Sequence, residues 1–126
     1  LAGRVTVSSA GTSHEHAGEG MHENSAAILS ARRLRSSHQA RLFTPALAAT
    51  LDLVLAADQT NLRNGRSIIR MADTQPEIRL LRDFDPTAVG RDLDDPWGYP
   101  PTEYERTATE ITAAIPGLLA ELRDRL

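Results

Sequence analysis

The sequence predicts an α/β domain of three layers, a small parallel sheet flanked by helices. Two observations carry this. Short apolar or alternating runs at 4–8, 51–57 and 77–81 are separated by segments whose apolar residues recur at helical spacing. Leu51-Asp52-Leu53-Val54-Leu55-Ala56-Ala57 is nearly all apolar over one strand's length, the pattern of a strand covered on both faces. In such sheets, ligands sit at the carboxyl ends of the strands, near the point where strand order reverses.

Taken in order, Arg4-Val5-Thr6-Val7-Ser8 alternates, carries β-branched residues and predicts a strand. A polar stretch with Gly18 and Gly20, His14 to Asn24, reads as a loop. Ser25 to Arg35 reads as a helix, with Ala27, Ile28, Ala31 and Leu34 on its apolar face. Gln39 to Phe43 is a short extended piece. Thr44-Pro45 is a helix start, a capping hydroxyl followed by the residue preferred at the first position. Asp58 is placed to cap a helix over Gln59 to Arg63, while the pattern from Asn64 to Gln75 assigns nothing. Glu77 to Leu81 reads as a second buried strand, and Arg82 to Tyr99 as a long loop rich in Asp, Pro and Gly. The last helix begins near Thr102. Its predicted stripe is Tyr104, Ala108, Ile111, Ile115, Leu118, Leu119 and Leu122, with a kink or break expected from Pro116.

Composition narrows the chemistry. The 126 residues fit one domain, with 40% hydrophobic, 25% charged and only 4% aromatic residues, so Leu, Ala, Ile and Val must build the core. A formal charge of −3 offers no basic stripe for nucleic acid. With no cysteine there is no disulfide, no thiolate zinc site and no cysteine nucleophile within these residues. No apolar run approaches the roughly 18 residues that cross a bilayer, and no signal peptide is visible.

If the sheet is parallel, the segments Ser9–Thr12, Asp58–Asn61 and the loop Asp83–Tyr99 converge on one rim. A rim carrying Asp58, Asp95, Trp97 and Tyr99 suits general-acid chemistry on an aromatic or phosphorylated substrate. The plainer readings are specific too. Asp95 before Pro96 is an ordinary turn residue, Asp58 a helix cap, His38 a structural histidine, Ser9 a strand-end serine, and Trp97 and Tyr99 loop anchors. His14, Glu15, His16, His22 and Glu23 lie in a glycine-bearing loop without the rigid support that metal ligands need. Asp92, Asp94 and Asp95 lack the spacing of a calcium loop. Arg32, Arg33 and Arg35 read as a solvated helix face.

Several segments in order resemble the low-molecular-weight protein tyrosine phosphatases. They are Ser8-Ser9-Ala10-Gly11-Thr12, His38-x-Ala40-Arg41, Asp52-Leu53-Val54-Leu55-Ala56-x-Asp58-x-x-Asn61-Leu62, Leu80-Leu81-x-x-Phe84-Asp85-Pro86 and Asp95-Pro96-Trp97-Gly98. The resemblance implies a phosphotyrosine protein phosphatase I-like fold. It also implies phosphotyrosine hydrolysis through a phosphocysteine, with no metal or cofactor, on a phosphotyrosine protein or small aryl phosphate in the cytoplasm, without nucleic acid or membrane. It gives Asp95 as general acid, Trp97 and Tyr99 beside the substrate ring, Ser9 and His38 as braces of the phosphate loop, and Asp58 as the carboxylate orienting that histidine. The resemblance begins at the family's second strand, so residues 1–126 are expected to be one N-terminally truncated domain. On this resemblance the family's first strand and Cys-x-x-x-x-x-Arg loop are expected to be missing and the chain as given to be inactive. Three details depart from the family pattern. The aromatic pair after Asp95-Pro96 is split by Gly98, Glu15 falls where a recognition aromatic is usual, and His22-Glu23-Asn24 replaces an Asp-x-Arg. A non-catalytic phosphatase-like interaction module is the alternative. An arsenate-reductase-like protein, which needs further cysteines, and a generic nucleotide-binding domain, which needs a glycine-rich phosphate motif, rank lower.

Overall fold

The computed structural model describes residues 3–12, 25, 27, 29 and 41–126. The first numbered element is α1 (Pro45–Ala48), then β1 (Leu53–Ala56), α2 (Gln59–Ile69), β2 (Glu77–Leu80), a 3₁₀ turn (Leu81–Phe84) and α3 (Pro101–Arg125). β1 and β2 pair in parallel with Leu53 opposite Glu77 and Ala56 opposite Leu80, and α2 is the crossover between them.

Local chemistry sets the helix starts. The Thr44 hydroxyl accepts from the Leu47 N–H at 3.1 Å, with Pro45 at the start of α1. Asp58, extended at φ −143° and ψ 175°, accepts from the Asn61 N–H at 2.7 Å and opens α2. That helix runs to Ile69, six residues past the expected Arg63. Its interior Gly65 masked the pattern, since glycine weakens a helix. The glycine is there because α2 lies close against β2: a Cβ at position 65 would stand 2.6 Å from Ile78 Cδ1.

Two small clusters make the core. Phe43, Ala48 and Ile69 pack with Leu47, Leu51, Val54, Ile68, Ala72 and Ile78. Ala56, Leu62 and Leu80 form the other, and Ile78 belongs to both. Ile78 thereby packs β2 along the buried face of α2, which carries Leu62, Gly65 and Ile69. β1 is less enclosed than its composition predicts, with Leu53, Val54 and Leu55 half-buried and Ala56 buried.

The expected strand at Arg4–Ser8 does not form. Among the described residues, 4–8 lie in no strand, and Val7 is 85% exposed. A strand's N–H and C=O groups need a neighbour, and the described pairing comes further on, at Gly11. There Gly11 N donates to Arg41 O at 2.8 Å and Phe43 N to Gly11 O at 2.7 Å, a single parallel bridge between Gly11 and Leu42. Of the helix expected over Ser25–Arg35, positions 25, 27 and 29 are helical and the rest lies outside the described residues, as does Gln39–Ala40 of the extended piece.

α3 runs unbroken through Pro116, contrary to the expected interruption. Neighbouring turns hold it: Thr112 Oγ1 donates to the Ala108 carbonyl at 2.7 Å, and the following Gly117 seats the helix on the 3₁₀ turn. A Cβ at position 117 would stand 2.1 Å from the Phe84 carbonyl oxygen, so only glycine permits this approach. The buried stripe includes Tyr104 and Ala114, whereas Ile115 is 36% exposed and off that face. Arg125 pairs with Glu77 at the start of β2 and with Glu121, and Arg79 lies 4.4 Å above the Phe84 ring centre. No helix among the described residues is long and apolar enough to cross a membrane.

Candidate active site

The long loop folds back onto the carboxyl end of β1. Leu93, 8% exposed, is an apolar residue in a polar stretch, and its N–H donates to the Ala57 carbonyl at 2.7 Å. One residue earlier, Asp92 Oδ1 accepts from the Gln59 N–H at 2.9 Å. Two carboxylates, Asp58 and Asp92, therefore serve the N–H groups at the start of α2, where the helix leaves donors unsatisfied and negative charge is favoured. Arg82 braces this junction: one Nη1 contact reaches the Asp92 carbonyl at 3.1 Å, another Glu110 of α3 at 2.8 Å. The Arg82 and Glu110 side chains are only 14% and 18% exposed.

The approach to this junction is a second tight turn. Asp85 Oδ1 accepts from the Thr87 N–H at 3.0 Å and the Thr87 hydroxyl at 2.8 Å. The Thr87 hydroxyl, then its N–H, hold the buried Asp85 carboxyl below the usual carboxylate range; burial opposes this and the Arg82 charge adds to it.

Beyond Leu93, the segment 94–99 carries the predicted acid and aromatics. Asp95 is exposed, and its Oδ1 accepts from the Trp97 N–H at 3.0 Å, so it performs the turn role the plainer reading gave it. The Pro96 carbonyl accepts from Tyr99 N–H at 2.9 Å, and Gly98 between them has φ +83°, the arrangement of a type II turn. This explains the split aromatic pair: the position between Trp97 and Tyr99 needs a glycine. Both rings face solvent, 65% and 63% exposed. Tyr99 lines an open groove of about 560 Å³ with Asp94, Asp95, Pro96, Pro100, Glu103 and Arg106. Arg106 is committed to its neighbours, donating to Glu103 at 2.8 Å and lying 3.9 Å from Asp94. The groove is therefore predominantly acidic and bordered by exposed aromatic surface.

The structure thus brings Asp58 close to the loop that carries Asp95 and Tyr99, through Asp92 and Leu93. Asp95 is three positions beyond Asp92, a reach of roughly 10 Å at most. Ser9 lies on the exposed segment before the Gly11 bridge, where its carbonyl accepts from Arg41 Nε at 3.1 Å. His38 and Glu15 lie outside the described residues, as do His14, His16, His22 and Glu23. Among the described residues, no group of three or more His, Cys, Asp and Glu could hold a metal ion. Sequence reasoning missed Arg82, Asp92, Leu93 and Glu110 as supports of the loop. The available signal was Leu93, an apolar residue inside a polar stretch.

Comparison with known proteins gives a consistent result. A family model described as low molecular weight phosphotyrosine protein phosphatase matches residues 1–126. A Streptomyces coelicolor low molecular weight protein-tyrosine-phosphatase is 36% identical over 124 residues, covering 97% of this chain and 76% of that protein. Low molecular weight protein-tyrosine phosphatase A of Mycobacterium bovis is 33% identical over 130 residues, covering 100% of this chain and 76% of the relative. The crystal structure of a protein tyrosine phosphatase from Entamoeba histolytica superposes with a TM-score of 0.80 at 18% identity, covering 91% of this chain and 73% of that one, a likeness of fold.

Proposed function

The chain belongs to the low molecular weight phosphotyrosine protein phosphatase family, and from that premise we propose that it supplies the acid half of phosphotyrosine hydrolysis. In this reading a thiolate attacks phosphorus and the bond from phosphorus to the phenolic oxygen breaks. The electron pair leaves on that oxygen, and Asp95 gives it a proton. Asp95 then takes a proton from water as the water attacks phosphorus and the phosphorus–sulfur bond breaks, releasing phosphate. Trp97 and Tyr99 flank the ring. Ser9, His38 and Asp58 support the loop that holds the phosphate. No metal or cofactor takes part.

The observation that carries the proposal is the docking of the Asp92–Leu93 segment onto the carboxyl end of β1 and the start of α2. It holds an exposed carboxylate and an exposed phenol ring beside the end of a parallel strand, where α/β folds bind ligands. Residues 1–126 contain no cysteine, so the nucleophile and its companion arginine must come from elsewhere, and these residues by themselves turn nothing over. A cytoplasmic setting and substrates among phosphotyrosine proteins belong to the same reading.

The test uses two polypeptides: the 126 residues alone, and the same residues joined to an N-terminal strand and Cys-x-x-x-x-x-Arg loop, called the extended enzyme below. The extended enzyme releases phosphate from an aryl phosphate and the 126 residues alone do not. Asp95→Asn in the extended enzyme lowers kcat about 10²- to 10³-fold and leaves inhibition by inorganic phosphate unchanged. Turnover by the cysteine-free chain would refute the reading, and full turnover by Asp95→Asn would remove that residue from the mechanism. The lack of cysteine favours a second reading, a non-catalytic binding module. That reading predicts that the 126 residues alone form a soluble, folded domain without the first strand and bind a protein partner through the same rim.

A further inference from the structure

We infer that Asp92 is a positioning residue for the proton transfer, acting by fastening the acid loop to the first N–H of α2. The inference rests on the reading of Asp95 as the acid and extends it to a residue that touches no substrate.

The geometry is specific. Gln59 is the first helical residue of α2, and Asp58 is its cap. The cap carboxylate serves the Asn61 N–H, so it does not serve the donor at position 59. Asp92 takes that donor from 33 residues away, at 2.9 Å. The same loop point is held twice more: the Asp92 carbonyl by Arg82 at 3.1 Å, and the Leu93 N–H by the Ala57 carbonyl at 2.7 Å. Arg82 is fixed in turn by Glu110. Asp95 follows three residues later and, among the described residues, receives a hydrogen bond only from within its own turn. The turn is therefore held on the β1 side by the Asp92–Leu93 anchor and on the α3 side by the Thr107 hydroxyl, 3.5 Å from the Asp94 carbonyl, and by Arg106, 3.9 Å from the Asp94 carboxylate; the Asp92–Leu93 anchor is the one that ties it to the sheet. An acid works only when its oxygen lies within hydrogen-bond reach of the leaving group, and small displacements in such geometry are costly in rate.

The readout is the dependence of kcat on the leaving group in the extended enzyme. Phenyl phosphate, whose phenolate leaves poorly, needs the proton more than p-nitrophenyl phosphate does. Asp92→Ala is expected to lower kcat on phenyl phosphate roughly tenfold more than on p-nitrophenyl phosphate, with inhibition by inorganic phosphate unchanged. Asp92→Asn keeps an acceptor oxygen at the same distance and is expected to restore most of the loss. Gln59→Pro reaches the same bond from the other side. It removes the donor, at a position where proline suits the helix and after a residue already extended at φ −143° and ψ 175°. It is expected to reproduce the leaving-group signature even if Asp92→Ala does not fold. Equal losses on both substrates in Asp92→Ala and Gln59→Pro, or no loss in either, overturn the inference while Asp95→Asn still cripples turnover. Full activity of Asp95→Asn overturns the underlying reading and this inference with it.

Discussion

At the scale of single residues, two glycines show how the same substitution has opposite fates. At position 117 a new Cβ would meet the Phe84 carbonyl oxygen, which is backbone, at 2.1 Å. At position 65 it would meet Ile78 Cδ1, the far end of a flexible side chain, at 2.6 Å. Gly117→Ala is therefore expected to destabilise the extended enzyme by about 3 kcal/mol, an overpacking cost the helix cannot relax away. Gly65→Ala gains roughly 1 kcal/mol of helix propensity against the displacement of one methyl, and should stay within about 1 kcal/mol of the parent. Denaturant midpoints at constant slope measure both, and a larger loss at 65 than at 117 would contradict this view. Position 98 is different again, because there the backbone itself, at φ +83°, demands glycine.

At the scale of elements, a few polar ties fasten the long loop to the elements it crosses. Removing Glu110 leaves the mostly buried Arg82 guanidinium without its carboxylate, so Glu110→Ala is expected to cost about 1–2 kcal/mol and to loosen amide protection at Leu93. Unchanged hydrogen exchange at Leu93 would show that Arg82 holds the loop without its partner. Asp85 makes a pH-dependent contribution. Its folded carboxyl is held below the ordinary range, so its stabilisation is present above the unfolded value near 3.9 and is lost as pH falls through the lower folded value. Asp85→Asn should lower stability at neutral pH, and the gap from the parent should close in strong acid; a gap that persists there would point to packing instead. The legibility of these elements follows the same physics. The caps Thr44 and Asp58, the paired strand cores and the start of α3 were readable because each is fixed by residues adjacent in sequence. The run at 4–8 alternates correctly yet forms no strand, and α2 continues past an interior glycine, because partners distant in sequence decide both. The order of motifs singled out Asp95, Trp97 and Tyr99, and the structure puts all three on one exposed turn. The supports of that loop were not legible, because Arg82, Asp92 and Glu110 become neighbours only after folding.

For the molecule as a whole, the described sheet has two strands, and the exposed residues 6–8 lie outside it. Open sheet edges invite pairing between copies. A polypeptide of these 126 residues alone is expected to associate or melt without cooperativity, and the extended enzyme to behave as a cooperative unit; sedimentation and a thermal scan tell them apart. A sharp transition from a monomer of the 126 residues would count against it. The contact at Gly117 has a wider mechanical meaning. A helix that touches its neighbour's backbone at one bare point cannot slide or revolve about its axis without collision, so that point indexes the whole rod. Arg106 and Thr107 ride on the same rod, roughly 15 Å away at 1.5 Å per residue, and they face the Asp94 end of the acid loop. One missing methyl group near the far end thus sets the angle at which the rod meets that loop.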